Sequence, residues 1–415
     1  LKCQAGAPST RQLPFRSRKL RPRHVRRHPL PRAARTLTLW AGSARSRMGV
    51  CVGKGGGNSQ DNNVVDHDRR HISVLKAEKV LKDPKAEGRS SVKSTGEGNI
   101  LDLFPGAHRR TSLCGVASEA RQKGFSDKTT ARGGDGAVGS HKIGYACKKG
   151  LKPESNQDDF CVFRMDSLSI YGVFDGHGPY GHNVSNFVQV TLPGSFVQHP
   201  HFQDDPEKAL ASAFPETHRL CAESQAEGHF DCALSGTTAT LAMHRDGTLY
   251  IAHVGDSRAV LARKQGNEFK SEDLTVDHKP TCETERRRIQ AAGGQVKRLE
   301  GDIPYRVFLS GKMYPGLAMT RSIGDTVGTT AGVTSTPEIR AVEVQKDWRF
   351  MLLCSDGIWE FINTQEAVDI VARHSSSDVQ KAAESLASEA WNRWIREEGN
   401  VVDDITVIAA WFNDD

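Results

Sequence analysis

From residue 141 onward the chain is a succession of strand-length apolar runs, each stopped by Asp, Gly or Asn, and this pattern admits few architectures. Ser169–Phe174, Thr237–Met243, Thr248–His253, Ala259–Arg263, Phe350–Ser355 and Ile405–Phe412 are predicted strands. Between two of them, Arg245-Asp246-Gly247 signals a hairpin, because Asp-Gly accepts the positive φ angles of a tight turn. Helices are predicted from Pro206 through Ala209 to Glu223, from Thr281 to Ala292 ahead of Gly293-Gly294, and from Ser377 to Glu397. No repeat with a period of about 20 to 50 residues is present, which argues against a solenoid or propeller. The pattern defines one α+β domain over residues 141 to 415. The longest apolar runs, such as Ile405–Phe412, fall well short of the ~18 residues needed to cross a bilayer.

Charge divides the chain differently. Residues 1 to 47 hold eleven Arg and two Lys with no Asp or Glu, so the +6 net charge less the +13 of this segment leaves −7 for the remainder. An acidic domain is a poor match to a nucleic-acid backbone, and nucleic acid is not an expected partner. It suits a protein that gathers carboxylates around divalent cations. The nine Cys include no Cys-x-x-Cys pair, so neither a zinc pattern nor a disulfide framework is indicated, and a reducing, cytoplasmic compartment is expected.

The first 47 residues contain no Met, and Met48-Gly49-Val50-Cys51 reads as the true start, with an Arg-rich transit peptide as the rival reading. Removal of Met48 would make Gly49 a myristate acceptor, and Cys51 could take a palmitoyl group, together enough for a membrane surface. The usual motif has Ser or Thr where Gly53 stands, so a plain flexible tail is the alternative. Residues 53 to 140, rich in Gly, Ser, Lys and Asp, are expected to be mostly disordered, making 48 to 140 a flexible region. Within it Arg109-Arg110-Thr111-Ser112-Leu113 looks like a site for a basophilic kinase.

Four apolar runs end in or approach an Asp. Asp175 follows Gly-Val-Phe and opens Asp175-Gly176-His177-Gly178; Asp256 follows Val-Gly; Asp356 follows Cys-Ser; Asp403 and Asp404 precede Ile-Thr-Val-Ile. A single Asp-Gly reads first as a turn. Several such carboxylates at the ends of core strands suggest a shared edge, where they repel unless cations lie between them. Oxygen ligands without a His or Cys pattern select Mg²⁺ or Mn²⁺ over zinc. Two such ions could share Asp175 and hold a nucleophilic water, and His177 can move a proton near neutral pH.

These residues carry a resemblance. Ser155-Asn156-Gln157-Asp158-Asp159, Val173-Phe174-Asp175-Gly176-His177-Gly178, Ser235-Gly236-Thr237-Thr238, Val254-Gly255-Asp256-Ser257-Arg258, Asp277-His278-Lys279-Pro280, Gly316 through Asp325, Ser355-Asp356-Gly357-Ile358-Trp359-Glu360 and Asp403-Asp404-Ile405-Thr406-Val407-Ile408 stand in order. Over about 141 to 415 the chain resembles the metal-dependent protein serine/threonine phosphatases of the PP2C (PPM) family. The resemblance implies a β-sandwich of two antiparallel sheets flanked by pairs of helices, with two Mg²⁺ or Mn²⁺ ions at one end and a phosphoprotein substrate. By motif position, Asp175 would bridge both ions, the Gly176 carbonyl would bind the first, and Asp356 with Asp403 would hold the second. Asp158 would act through cation-bound water, and Asp256 would serve a weaker third ion. His177 would protonate the departing Ser or Thr oxygen, with no phosphoenzyme. A monomer is expected.

Two positions depart from the family. Pro153 stands where many relatives place a phosphate-binding Arg, leaving Lys152 as the nearest cation, a point charge without the bidentate fork. Gln157 stands where many have Glu. Arg258 and Arg321 read equally well as structural ion-pair partners, His278 as a cap or turn residue and Trp359 as core, while residues 295 to 316 match the family's flap beside the cleft. A pseudophosphatase is disfavoured because Asp175, Asp356, Asp403 and His177 are all present, and a nucleotide phosphohydrolase because no P-loop appears.

Overall fold

The strand that carries Asp175 is buried on both faces, which explains why it reads as an unbroken apolar run rather than an alternating one. The computed structural model describes residues 100–103, 111–115, 130–133, 142–165, 167–300 and 304–412. Nine strands form the larger sheet: β1 (Thr111–Cys114), β2 (Thr130–Gly133), β4 (Asp158–Arg164), β5 (Leu168–His177), β6 (Gly236–Thr237), β7 (Ala239–Arg245), β8 (Thr248–Val254), β14 (Ile323–Gly324) and β15 (Glu338–Glu343). Their spatial order is β15-β8-β7-β5-β4-β1-β2, with the short β6–β14 pair attached to β5. The smaller sheet takes β3 (Ile143–Lys148), β9 (Arg258–Gln265), β10 (Glu268–Asp273), β16 (Trp348–Cys354) and β17 (Ile405–Trp411), ordered β10-β9-β16-β17-β3. A separate small sheet, β11 (Gln295–Arg298), β12 (Tyr305–Phe308) and β13 (Pro315–Leu317), covers the stretch expected to form the flap.

Two layers of apolar side chains explain the double covering. Phe160, Val162, Tyr171 and Val173 from the larger sheet meet Leu261, Met351, Leu353 and Ile408 from the smaller one. On its other face β5 sends Ile170 and Phe174 into a layer with helices α1 (Gly181–Val197) and α2 (Pro206–Ala226). The smaller sheet is covered in the same way. Val260, Leu352 and Val407 pack with Val368, Ala383 and Leu386. The last three belong to the helices numbered α6 (Thr364–Val371) and α7 (Val379–Glu398), which follow α3 (Glu283–Ala291), α4 (Thr326–Thr329) and α5 (Asp356–Trp359). The result is the expected sandwich of antiparallel sheets between helix pairs. No described helix is long and apolar enough to cross a membrane.

Local chemistry sets several of these elements. Asp205 caps α2 by accepting the Lys208 N–H, and Pro206 occupies the first helical position. At the β7–β8 hairpin Asp246 and Gly247 take φ of 52° and 74°, as the Asp-Gly signal requires. Gly144 on β3 lies against the start of α7, where a Cβ would come 1.9 Å from the Val379 carbonyl oxygen. Backbone cannot yield there as a side chain can. Gly144→Ala should therefore cost about 1–3 kcal/mol, read as a lower urea midpoint.

One expectation needs correction. β1 and β2 lie within the stretch expected to be disordered, and β1 pairs with β4 from Thr111 opposite Arg164 to Cys114 opposite Cys161. Without it, β4 would present an open row of N–H and C=O groups from Cys161 to Arg164, the part that β1 covers. Averaged composition over 53 to 140 hides so short a strand. The kinase-type motif changes meaning too, since Ser112 is buried within the sheet. Arg109 and Arg110 lie outside the described residues, as do Gly49, Cys51 and the segment 1 to 47.

Candidate active site

Antiparallel pairing brings distant carboxylates to one end of the sandwich. β5 finishes where β4 begins, so Asp175 and Asp158 are direct cross-strand partners. β16 finishes where β17 begins, which places Asp356, just after β16, near Asp403, just before β17. Asp175 and Asp356 share a side-chain hydrogen bond. Asp256 follows β8, and its charge is felt by both Asp175 and Asp356.

The surroundings hold these groups rigidly. The Asp175 N–H donates to Thr238 Oγ1 at 3.0 Å, and the Asp175 carbonyl accepts from the Thr238 N–H at 2.8 Å. Ser355 Oγ and Thr406 Oγ1 both donate to Asp158 Oδ2 at 2.7 Å. Gly176 has no room for a side chain, because a Cβ would come 2.5 Å from the Gly181 carbonyl oxygen and 2.6 Å from that of Gln157. Any larger residue would displace the backbone that presents the Gly176 carbonyl.

Burial and mutual repulsion act on the carboxyls together. Burial, reinforced by Asp356, Asp158, Asp403 and Asp256, pushes Asp175 well above its usual range. Asp158, buried beside Asp404, is pushed up to about 8, and Asp356, buried beside Asp256 and Asp403, to about 7. Buried oxygens that repel one another are suited to a divalent cation, which reverses the penalty. The Asp256 Oδ1 atom is buried with no hydrogen-bond partner among the described residues, again an oxygen disposed to a cation. Asp175, the Gly176 carbonyl, Asp356 and Asp403 therefore fit a hard-cation ligand set.

Two lysines stand on this cluster. Lys152 donates to both Asp403 oxygens at 2.6 and 2.7 Å, so its ammonium lies on a carboxylate. Burial opposes its charge, but Asp403, Asp175 and Asp356 hold its pKa above the usual value. Lys279 pairs with Asp256 Oδ2. Gln157 is also engaged, its Nε2 donating to the Gly178 carbonyl at 2.7 Å.

His177 is oriented by a residue to which the sequence assigned no role. Its Nε2 lies 2.7 Å from Asp325 Oδ2, which also accepts from Ser322 Oγ at 2.6 Å. Burial alone would lower the His177 pKa, but the Asp325 charge and hydrogen bond, with Asp256 and Asp356 behind them, hold it raised. The other ring nitrogen, Nδ1, is buried with no partner among the described residues. A protonated His177 thus has one N–H spent on Asp325 and one left to give. Asp325 closes the motif that runs from Gly316, and its own φ of 47° is the local oddity that marks it. Asp404 was likewise without a role; it accepts from the Gly150 and Gln157 N–H groups, both at 2.7 Å, fixing the loop before β4.

Other polar residues hold the frame. Arg258 makes a bidentate pair with Asp277 at 2.6 and 3.0 Å, and Trp359 donates from Nε1 to the Cys354 carbonyl. Arg321 grips the buried Glu285 through Nη2 at 2.7 Å and Nε at 3.1 Å, with Arg288 and Thr320 completing the shell. Burial would raise the Glu285 pKa, but those partners depress it to about 2. Its contribution is present above the unfolded value near 4.5 and fades as pH falls through the folded one. Arg321→Ala should cost about 3 kcal/mol at neutral pH, with the difference from the parent shrinking toward pH 2 in urea melts.

His253, His278 and Glu338 also bring potential ligand atoms within 4.8 Å of one another. Hydrogen bonding argues against an ion there. The Gly255 N–H donates to His278 Nδ1 at 3.1 Å, so the neutral ring carries its proton on Nε2, facing Glu338 Oε2 at 3.4 Å. The His253 ring is stacked on it, 4.4 Å between centroids, so the two rings cannot share one in-plane ligand position. The His278 backbone N–H meanwhile donates to the Gly255 carbonyl, so this residue clamps the turn that presents Asp256.

A two-sheet sandwich with a carboxylate end and an Asp-supported imidazole has the construction of a cation-dependent phosphohydrolase. The protein phosphatase 2C family model matches residues 148–398, and the chain belongs to that family, whose members are hydrolases acting on phosphoproteins. It is 35% identical over 288 residues to probable protein phosphatase 2C 35 of Arabidopsis thaliana, covering 63% of this chain and 81% of the relative. With probable protein phosphatase 2C 48 of Oryza sativa subsp. japonica it shares 34% over 303 residues, 66% of this chain and 85% of that one. In fold it is similar to serine-threonine phosphatase 2C from Toxoplasma gondii, with a TM-score of 0.59 at 21% identity, covering 65% of this chain and 94% of that one.

Proposed function

We propose that this protein hydrolyses phosphoserine and phosphothreonine in proteins by direct attack of water on phosphorus, with two Mg²⁺ or Mn²⁺ ions at the carboxylate end and a weaker third near Asp256. The observation that carries the reading is the meeting of Asp175, Asp356, Asp158 and Asp403 at one end of the sandwich, with His177 beside them on β5. When bound, the cations supply Lewis-acid polarisation of the phosphoryl group and activation of the attacking water. Asp175, Asp356, Asp403 and the Gly176 carbonyl would hold them. Asp158, fixed by Ser355 and Thr406, would accept a hydrogen bond from water at that end. His177, whose protonated form Asp325 favours, would give its Nδ1 proton to the departing Ser or Thr oxygen. Lys152 is near enough to turn from Asp403 toward a phosphate oxygen, as a single charge rather than a fork. The test is phosphate release from a phosphothreonine peptide by the full chain with Mn²⁺, and again with excess chelator. The reading predicts loss with chelator and recovery on adding Mn²⁺; undiminished release in chelator would overturn it.

A further inference from the structure

Cys114 on β1 and Cys161 on β4 stand directly opposite one another across the sheet. The adjoining pair, Gly115 and Phe160, is joined by a backbone hydrogen bond from Gly115 N to Phe160 O at 2.9 Å. Because antiparallel ladders alternate, Cys114 and Cys161 occupy the neighbouring non-hydrogen-bonded site, where Cα atoms approach to ~4.5 Å. That separation lies within the ~4.4–6.8 Å range of disulfides. Both side chains leave the sheet on the same face and pack in the same apolar layer. Cys161 is fully buried and Cys114 partly exposed, and both are thiols in the structure. The Cys161 sulfur leans over Gly172, where a Cβ would come within 2.8 Å of it, so pairing requires a turn about χ1 between staggered wells.

We propose that Cys114 and Cys161 are an oxidisable thiol pair, a modification site at which a hydroperoxide closes a disulfide between β1 and β4 within the larger sheet. Cys114, the less buried residue of the two, attacks the peroxide first: an S–O bond forms, the O–O bond breaks, and Cys114 becomes a sulfenic acid. Hydrogen peroxide leaves as water in this step. The Cys161 sulfur then attacks that of Cys114; the S–S bond forms, the S–O bond breaks, and a second water departs. Two thiols lose two electrons and the peroxide gains two. Burial, with Cys114 and Asp159 nearby, holds the Cys161 thiol well up, which makes the second step the slow one. Cys221 and Cys232 offer an internal contrast, close together but both fully buried.

The test treats the full chain with hydrogen peroxide, alkylates the remaining thiols and maps non-reduced peptides by mass spectrometry. The expected result is a linked pair containing Cys114 and Cys161, lighter by two hydrogens than the separate peptides and released by dithiothreitol. It should be lost in Cys114→Ser, a variant that retains the parent phosphatase activity. Recovery of Cys114 as a sulfinic acid, or linked to another cysteine, with Cys161 still alkylated after unfolding, would overturn the pairing. Cys161→Ser should lose the linked pair as well, and should it fail to fold, Cys114→Ser alone decides the matter.

Discussion

Asp175→Asn is expected to lower phosphate release from a phosphothreonine peptide by about a thousandfold with Mn²⁺, the scale on which a buried electrostatic contact to the reacting group acts. The same substitution should raise the thermal midpoint measured in chelator. Both follow from one carboxylate. In the folded chain burial and the charges of Asp356, Asp158, Asp403 and Asp256 push the Asp175 pKa well above its unfolded value. A carboxyl raised in this way stabilises the fold only while protonated, so its ionised form is a liability at neutral pH without cations. Asn removes the charge and relieves its neighbours. A variant that keeps the parent rate with Mn²⁺ would remove Asp175 from the chemistry; one that melts well below the parent in chelator would contradict the repulsion argument.

Asp325→Asn should lower kcat by about a hundredfold, the lower end of what a positioned general acid contributes, and move the alkaline limb of the pH–rate profile to lower pH. The direction follows from the pair itself. Asp325 holds the His177 pKa above its ordinary value, so the imidazolium acid survives to higher pH in the parent. A neutral amide removes that support while burial, which favours the neutral ring, remains. His177→Gln should lose the limb altogether, because no proton is left to titrate. A merely structural Asp325 would lower the rate equally at every pH, which steady-state kinetics across pH 6 to about 10 distinguishes.

Much of this arrangement was written locally in the chain, and the rest was not. The β7–β8 hairpin could be placed because Asp246-Gly247 is a two-residue rule obeyed on the spot. The fold class and the enzyme class could be read because several short motifs follow one another in order, each tied to a strand end. Helix α1 escaped because it is buried on several sides, from Val184 to Phe196, and carries Pro193, so no single apolar stripe announces it. The support of His177 by Asp325 escaped because it spans 148 residues, and no spacing rule reaches that far. Lys152 could be named from its position but not oriented. Its carboxylate partner lies 251 residues away and meets it only when β17 pairs with β3.

The place of β1 beside β4 bears on how the enzyme can be shortened. A protein begun at residue 141 would keep every carboxylate of the cleft, yet would lose both strands that finish the larger sheet. Its exposed β4 margin, with Phe160, Val162 and Phe163 along it, would be a template for strand addition between copies. Self-association and poor recovery of such a fragment would then report a severed sheet rather than a damaged catalytic centre, and a start ahead of Thr111 preserves the closure.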